Sequence, residues 1–222
     1  MPLQKNDFIE MEFTGKIKDG SVFDSNIKED LEKLHEGHDH PVETKPLIFP
    51  LGQRMFLEGI DNFLIGKDIG EYEIELSPEK AFGRRNPNLI QRMPMKVFIE
   101  HKINPIPGAV FNFDNRVGKV LTVSGGRVMI DFNNPLSGKE ILYKIKILRK
   151  VEDINEKIKS LNEFFFRRDF KFEIQDNKLI LEAEKEFKNL IEMFKENYRE
   201  ILGLELEIKE IEGKPNQNHN NA

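Results

Sequence analysis

The chain has 222 residues and a formal net charge of −5, 34 Lys and Arg against 39 Asp and Glu, which argues against a general nucleic-acid binder. It has no cysteine, which excludes disulfides, thiol nucleophiles and cysteine metal sites. No apolar run reaches the roughly 18 residues of a membrane span, and MPLQKNDFIEME lacks the apolar core of a secretory signal, so a soluble cytoplasmic protein is expected. Residues 7–17 are predicted to form a strand, with Phe8, Ile9, Met11, Phe13 and Ile17 mostly alternating. Asp19-Gly20 turns the chain into a strand that begins at Ser21-Val22-Phe23. Residues 24–45 are polar, with a short helix in IKEDLEKLHEG, and Pro46 to Leu51 resumes a strand. Met55 to Leu64 is predicted as one short amphipathic helix carrying Phe56, Leu57, Ile60, Phe63 and Leu64. Glu71 to Leu76 is a strand closed by Ser77-Pro78.

Pro87, Pro94, Pro105 and Pro107 exclude a long helix in the next stretch, and QRMPMKVFIE within it shows little periodicity. Strands follow at Ala109 to Phe113, Lys119 to Val123 and Arg127 to Phe132, the last two joined by Gly125-Gly126. Residues 139–151, KEILYKIKILRKV, alternate strictly. The grammar changes near 152. Ile154, Ile158, Leu161 and Phe165 share a helical face, and Phe170, Phe172 and Ile174 alternate up to the turn Asp176-Asn177. Leu179, Leu181 and Ala183 alternate beyond it. A single amphipathic helix from Phe187 to Leu202, stopped by Gly203, and a strand through Leu204, Leu206 and Ile208 complete an α-β-β-α-β order. The tail 213–222, GKPNQNHNNA, is expected to be disordered.

Charge is uneven along the chain. Residues 84–131 carry eight Lys/Arg and three Asp/Glu, net +5, whereas 152–222 carry twelve and seventeen, net −5. A basic middle between acidic flanks marks a distinct unit. The abundance of Lys and Glu, in a chain that is 33% charged, leans towards a thermophilic source.

Several segments together carry a resemblance: F-T-G-x-x-x-D-G-x-x-F-D-S at 13–25, P-L-x-F-x-L-G at 46–52, E-G-I at 58–60, I-G-K-D-I-G-E at 65–71 and S-P-E-K-A-F-G at 77–83. With the closing strand Leu142 to Ile147, they are similar to the FKBP-type peptidyl-prolyl cis-trans isomerases. The resemblance implies an α+β fold, with an antiparallel half-barrel sheet wrapped on a short helix, built from 1–83 and 132–151. The segment 84–131 resembles the β-rich insert-in-flap domain of SlyD-type members, which overhangs the pocket and binds unfolded chains. The C-terminal α-β-β-α-β domain, 152–212, stands where long archaeal members carry extensions.

The resemblance also implies the site. Phe13, Phe23, Asp24, Leu57, Phe82 and Tyr143 match its catalytic positions, with Asp24 as the pocket carboxylate and the Leu57 N–H as donor to the substrate carbonyl. Phe49, Phe56 and Ile60 match further lining positions. Phe13 and Phe82 stand where many members have Tyr, and Ile60 where some have Trp. These departures leave an apolar pocket and bear on the rate with small peptides and on macrolide inhibitors, which the family binds.

Residues of this kind suit prolyl isomerisation. Rotation about a peptide bond faces roughly 18–20 kcal/mol, because amide resonance is lost in the twisted state. No covalent bond changes, so no nucleophile, metal or cofactor is needed. An apolar pocket strips water from a carbonyl that water stabilises more in the planar amide than in the twisted one.

Three further expectations concern partners. Met93, Met95, Phe98 and Ile99 beside Pro94 suit soft, adaptable contact with unfolded, proline-containing clients. The plainer reading is that they form the small core of the insert. His35, His38 and His40 in LHEGHDHP, with Glu36 and Asp39, have the donor set of a Zn or Ni site, and the plainer reading is a solvated loop. The helix Phe187 to Leu202 and the Phe164-Phe165-Phe166 run offer more apolar surface than a 60-residue unit needs. That excess points to a homodimer through the C-terminal domain or, alternatively, to docking on the chain's own isomerase domain. The competing functions are a non-catalytic holdase on the same scaffold and a metal-binding protein acting through the histidines.

Overall fold

The computed structural model describes residues 1–34, 44–113 and 116–211. In chain order its first half contains β1 (Phe8–Ile17), β2 (Val22–Ser25), α1 (Lys28–Leu34), β3 (Leu47–Pro50), α2 (Glu58–Leu64) and β4 (Glu71–Leu76). Next come β5 (Ile90–Pro94), α3 (Met95–Glu100), β6 (Val110–Phe113), β7 (Arg116–Ser124), β8 (Arg127–Asp131) and β9 (Ile141–Val151). The last part holds α4 (Ile154–Phe166), β10 (Lys171–Gln175), β11 (Lys178–Glu184), α5 (Lys188–Glu192), α6 (Lys195–Leu202) and β12 (Glu205–Ile211). The fold is α+β with three sheets: β2-β1-β9-β4 with β3 also on β1, β5-β8-β7-β6, and β10-β11-β12. Two compact units result. One comprises Met1–Thr14, Ser25–Tyr72 and Lys144–Ala222, and the other Gly15–Asp24 and Glu73–Tyr143.

In the first unit, β3 pairs antiparallel with β1, Phe8 opposite Pro50 and Met11 opposite Leu47. The C-terminal segment folds as a helix, a hairpin and a helical return to a parallel strand. Asp153 caps α4 by accepting the N–H groups of Asn155 and Glu156 at 2.7 and 3.1 Å. Those donors hold its carboxyl below the usual range. The hairpin β10–β11 turns at Asp176 and Asn177, both left-handed, and β12 lies parallel to β11.

The predicted helix from Phe187 to Leu202 is not continuous. A 3-10 turn at Lys185–Phe187 leads into α5, and the helix breaks before α6. At the break Phe194 has φ −104°, and its ring stacks on Phe165 at 4.5 Å and meets Phe166 edge-on at 5.5 Å. Tertiary aromatic packing has overridden helical periodicity there. Tyr198, fully buried on α6, donates to Asn162 Oδ1 of α4 at 2.6 Å.

Most of the apolar face of this segment is covered within the chain. Its core joins Ile158, Leu161, Leu179, Leu181, Ile191 and Tyr198 to Phe8 of β1 and Val151 of β9, with Ile48 and Met55 packed against it. Lys157 lies over the Phe8 ring at 5.5 Å, Lys45 pairs with Glu163 at 2.5 Å, and Arg149 pairs with both Glu10 and Glu156.

In the second unit, β5 through β8 form an antiparallel sheet in which β7 and β8 are joined by Gly125-Gly126. Both glycines have positive φ, 56° and 71°, as a tight two-residue hairpin of this hand requires. QRMPMKVFIE is regular after all: its first half is edge strand β5, ending at Pro94, and its second half is α3. Proline is tolerated at that place because the edge leaves its missing donor without a partner to disappoint. The core on this sheet is Phe98, Val120, Val128 and Ile130, with Phe111 and Phe113 around Phe98.

Candidate active site

Phe13, Phe49 and Phe56 come together in the first unit. The Phe13 and Phe56 rings meet edge-on at 4.9 Å, and Phe56 lies tilted against Phe49 at 5.8 Å. Phe13 is held through its backbone: its N–H donates to Asn26 Oδ1 at 2.7 Å, and its C=O accepts from Asn26 N and Ser25 Oγ. Asn26 was not singled out in the sequence, although it directly follows the F-D-S motif. Ile60 is fully buried on α2.

Helix α2 starts at Glu58, three residues later than predicted. Gly52 and Arg54 are left-handed, with φ 76° and 56°, so residues 52–57 run as an irregular loop. Phe56 and Leu57 belong to that loop rather than to the helix. Leu57 is extended at φ −64°, ψ 128° and caps α2 through its carbonyl, which accepts from Ile60 and Asp61 N–H at 2.8 and 3.1 Å. Among the described residues no acceptor takes its own N–H.

Asp61 is a buried carboxylate that sequence reading passed over, because an acid inside an amphipathic helix is usually on the wet face. Its Oδ2 accepts the Arg54 N–H at 3.1 Å, which ties the loop to the helix. Burial pushes its pKa up to about 6, against the opposing N–H groups of Arg54 and Gly52. An unfolded Asp titrates near 3.9. The folded pKa is raised, so the associated stability is full below about pH 4 and is lost as pH rises through about 6. Asp61→Asn should therefore gain on the parent by roughly 3 kcal/mol in urea denaturation between pH 4 and 7. A difference that stays flat over that window would show that Asp61 titrates normally.

Phe23, Phe82, Tyr143 and Asp24 come together in the second unit. Phe23 meets Phe82 at 5.6 Å and Tyr143 at 5.8 Å, both edge-on. Gly15 makes room for this contact: a Cβ there would lie 2.8 Å from Phe23 Cζ and 2.9 Å from Tyr143 Cζ. Burial, reinforced by the negative charge of Asp24, raises the Tyr143 pKa, so the phenol stays neutral. Asp24 is half-buried. Phe82 is anchored by Ser137 Oγ, which donates to its carbonyl at 3.0 Å, and the next residue accepts from Gly138 N at 2.8 Å.

The client-contact candidates separate. Phe98 is 1% exposed and is the centre of the core on the β5–β8 sheet, so its expected role as a client contact is corrected. Met93 and Met95 pack against that core while partly exposed, and Ile99, one residue on, is 67% exposed. A helix of six residues has too few turns for its period to separate Phe98 from Ile99 in sequence. His35, His38 and His40 lie outside the described residues, and so does the tail 213–222. Among the described residues no group of three His, Cys, Asp or Glu is placed to hold a metal. No helix is long and apolar enough to cross a membrane.

Both aromatic groups are clusters of packed rings without a nucleophile, Phe13, Phe49 and Tyr143 buried within them, a composition that suits an apolar ring and a rotating amide. Comparison with known proteins agrees. The family model described as FKBP-type peptidyl-prolyl cis-trans isomerase matches residues 2–99. The short-type peptidyl-prolyl cis-trans isomerase of Methanocaldococcus jannaschii is 30% identical over 146 residues, 65% of this chain and 92% of that protein. The chain belongs to the FKBP-type peptidyl-prolyl cis-trans isomerases. It is thus an isomerase of X-Pro peptide bonds. The 16 kDa FKBP-type isomerase of Escherichia coli is 28% identical over 152 residues, covering 66% of this chain and 92% of its own length. SlyD of Pasteurella multocida is 27% identical over 163 residues, 71% and 74% respectively. A further model, described as FKBP26, IF domain, matches residues 91–136 of this FKBP.

Proposed function

We propose that this isomerase is a folding helper of the long archaeal, SlyD-like type, whose inserted segment holds unfolded clients while their prolyl bonds turn. The domains of this reading are the isomerase, 1–83 and 132–151, the client-binding insert, 84–131, and the C-terminal domain, 152–212. Phe13, Phe23, Asp24, Leu57, Phe82 and Tyr143 act on the prolyl bond. Phe49, Phe56 and Ile60 bind its side chain, as they would bind a macrolide, and the cell compartment is the cytoplasm.

One observation carries the client-binding part. The outer face of β6 and β7 lines a groove of about 610 Å³ in which Val110, Val117, Leu121 and Phe132 supply apolar surface. Val110 and Val117 are 58% and 61% exposed. Arg85, Lys119 and Lys139 rim it, and the one carboxylate among its described lining residues, Asp131, is already engaged by Arg85 and Asn133. Exposed apolar surface with a cationic rim fits extended, acid-bearing client segments better than folded surfaces. Met93, Met95 and Ile99 add apolar contact at β5 and α3. The test is proline-limited refolding of an unfolded protein with small amounts of the intact isomerase. Suppressed aggregation without acceleration would favour the holdase alternative.

The homodimer retains support from Leu190, Met193 and Phe164, which stay exposed on α5, at the break after it, and on α4. The cis docking of the rest of that face leaves less surface for it. Light scattering at the mass of two chains is the expected result, and a monomer mass would end the proposal.

A further inference from the structure

Residues 48–57 are built with two faces. Ile48 of β3 packs against the C-terminal core, whereas the next residue, Phe49, is buried against Phe56. Met55 packs against that same C-terminal core, whereas the next residue, Phe56, meets Phe13 and Phe49. In β3 alternate side chains point to opposite sides of extended backbone, and in the loop Met55 and Phe56 part in the same way, so the C-terminal core lies one residue away from the candidate substrate contacts.

A polar seam runs beside this apolar one. Gln53 Nε2 donates to Asn6 Oδ1 at 2.7 Å and to Glu200 Oε1 of α6 at 3.3 Å. Asn6 Nδ2 donates in turn to the Glu200 carbonyl at 3.2 Å, satisfying one of the acceptors left over at the end of α6. Lys5 pairs with the same carboxylate at 3.3 Å. Inside the loop, Arg54 is left-handed, a state that costs an ordinary residue roughly 1–2 kcal/mol. Such a loop keeps one shape only where its surroundings impose it.

We infer that the C-terminal segment 152–211 positions the substrate-binding loop 52–57, with Met55, Gln53 and Glu200 as positioning residues. This rests on the reading that Phe56 and Leu57 contact the substrate. The segment thereby does more than stabilise the fold: it sets where the Leu57 N–H points.

The test uses the full chain with Met55→Ala, Met55→Leu, and Gln53→Ala combined with Glu200→Ala. Urea denaturation confirms that each variant is folded under assay conditions. The readouts are the Leu57 amide resonance and kcat/KM for an X-Pro tetrapeptide. Met55→Ala and the double variant should each shift the resonance and lower kcat/KM roughly tenfold, the scale of a misplaced binding group. Met55→Leu, which conserves volume, should restore both. An unmoved resonance with unchanged kcat/KM in folded variants would overturn the inference, and so would loss of activity with the resonance in place. Leu57→Pro separates the underlying reading: if it is fully active, the loop does not hold substrate. If it is inactive while Met55→Ala is unaffected, only the coupling falls.

Discussion

Replacing Leu57 by proline should lower kcat/KM for an X-Pro tetrapeptide by roughly thirtyfold while leaving the protein folded. The substitution is unusually clean. Leu57 already has φ −64°, close to the value that a proline ring fixes. Its carbonyl, which caps α2 by accepting from Ile60 and Asp61, survives the change. What disappears is the N–H. In an apolar site, a substrate carbonyl left without its donor costs about 2 kcal/mol, and each 1.36 kcal/mol is a factor of about ten. Proline also demands an extended residue before it, and the side chain changes with the backbone. Leu57→Ala controls for the side chain, since it keeps the N–H and should stay within about threefold of the parent. Equal losses in the two variants would place the effect in the leucine side chain and remove the donor from the mechanism.

The strands were legible because their side chains alternate with period two, as in β9, where Ile141, Tyr143, Ile145 and Ile147 are all buried and the intervening Lys144 and Lys146 are exposed. The aromatic candidates for the site were legible only as a motif, since nothing in the pattern around Phe23 or Phe82 separates a pocket ring from a core ring. Asp61 and Asn26 were hidden for a different reason: their work is to fix backbone in loops, and polar residues near loops are ordinarily solvated. The C-terminal docking was half visible. An apolar face on residues 187–202 announces that something covers it, but Phe8 and Ile48 look in sequence like any other strand core residues, and Met55 like one on a short amphipathic helix. Only the tertiary arrangement shows that they face a second core.

Removing residues 87–132 and closing the gap with a two-residue turn should cut acceleration of proline-limited protein refolding by about a hundredfold, while tetrapeptide turnover stays within about threefold. The geometry favours such an excision. Ile90 pairs with Asp131 across β5 and β8, and outside that pair the Asn86 N–H donates to Asn133 Oδ1 at 2.8 Å, while Asn133 Nδ2 returns to the Asn86 carbonyl at 3.1 Å. Paired strands put their Cα atoms about 5 Å apart, so the cut ends are within reach of a tight turn. Below the cut, Phe82 keeps its bond from Ser137 and Gly83 its bond from Gly138. A tetrapeptide gains nothing from tethering, whereas a long client held in the groove meets the active site at an effective concentration that tethering raises by a factor of about 10² to 10⁴. Refolding catalysis that survives the excision would remove the insert from client binding. Parallel loss of both activities would make it a structural part of the isomerase instead. If the groove's cations select the clients, added salt should weaken refolding catalysis by the intact protein and leave tetrapeptide turnover unchanged, because screening acts on exposed charges such as Lys119 and Lys139 and not on an apolar site.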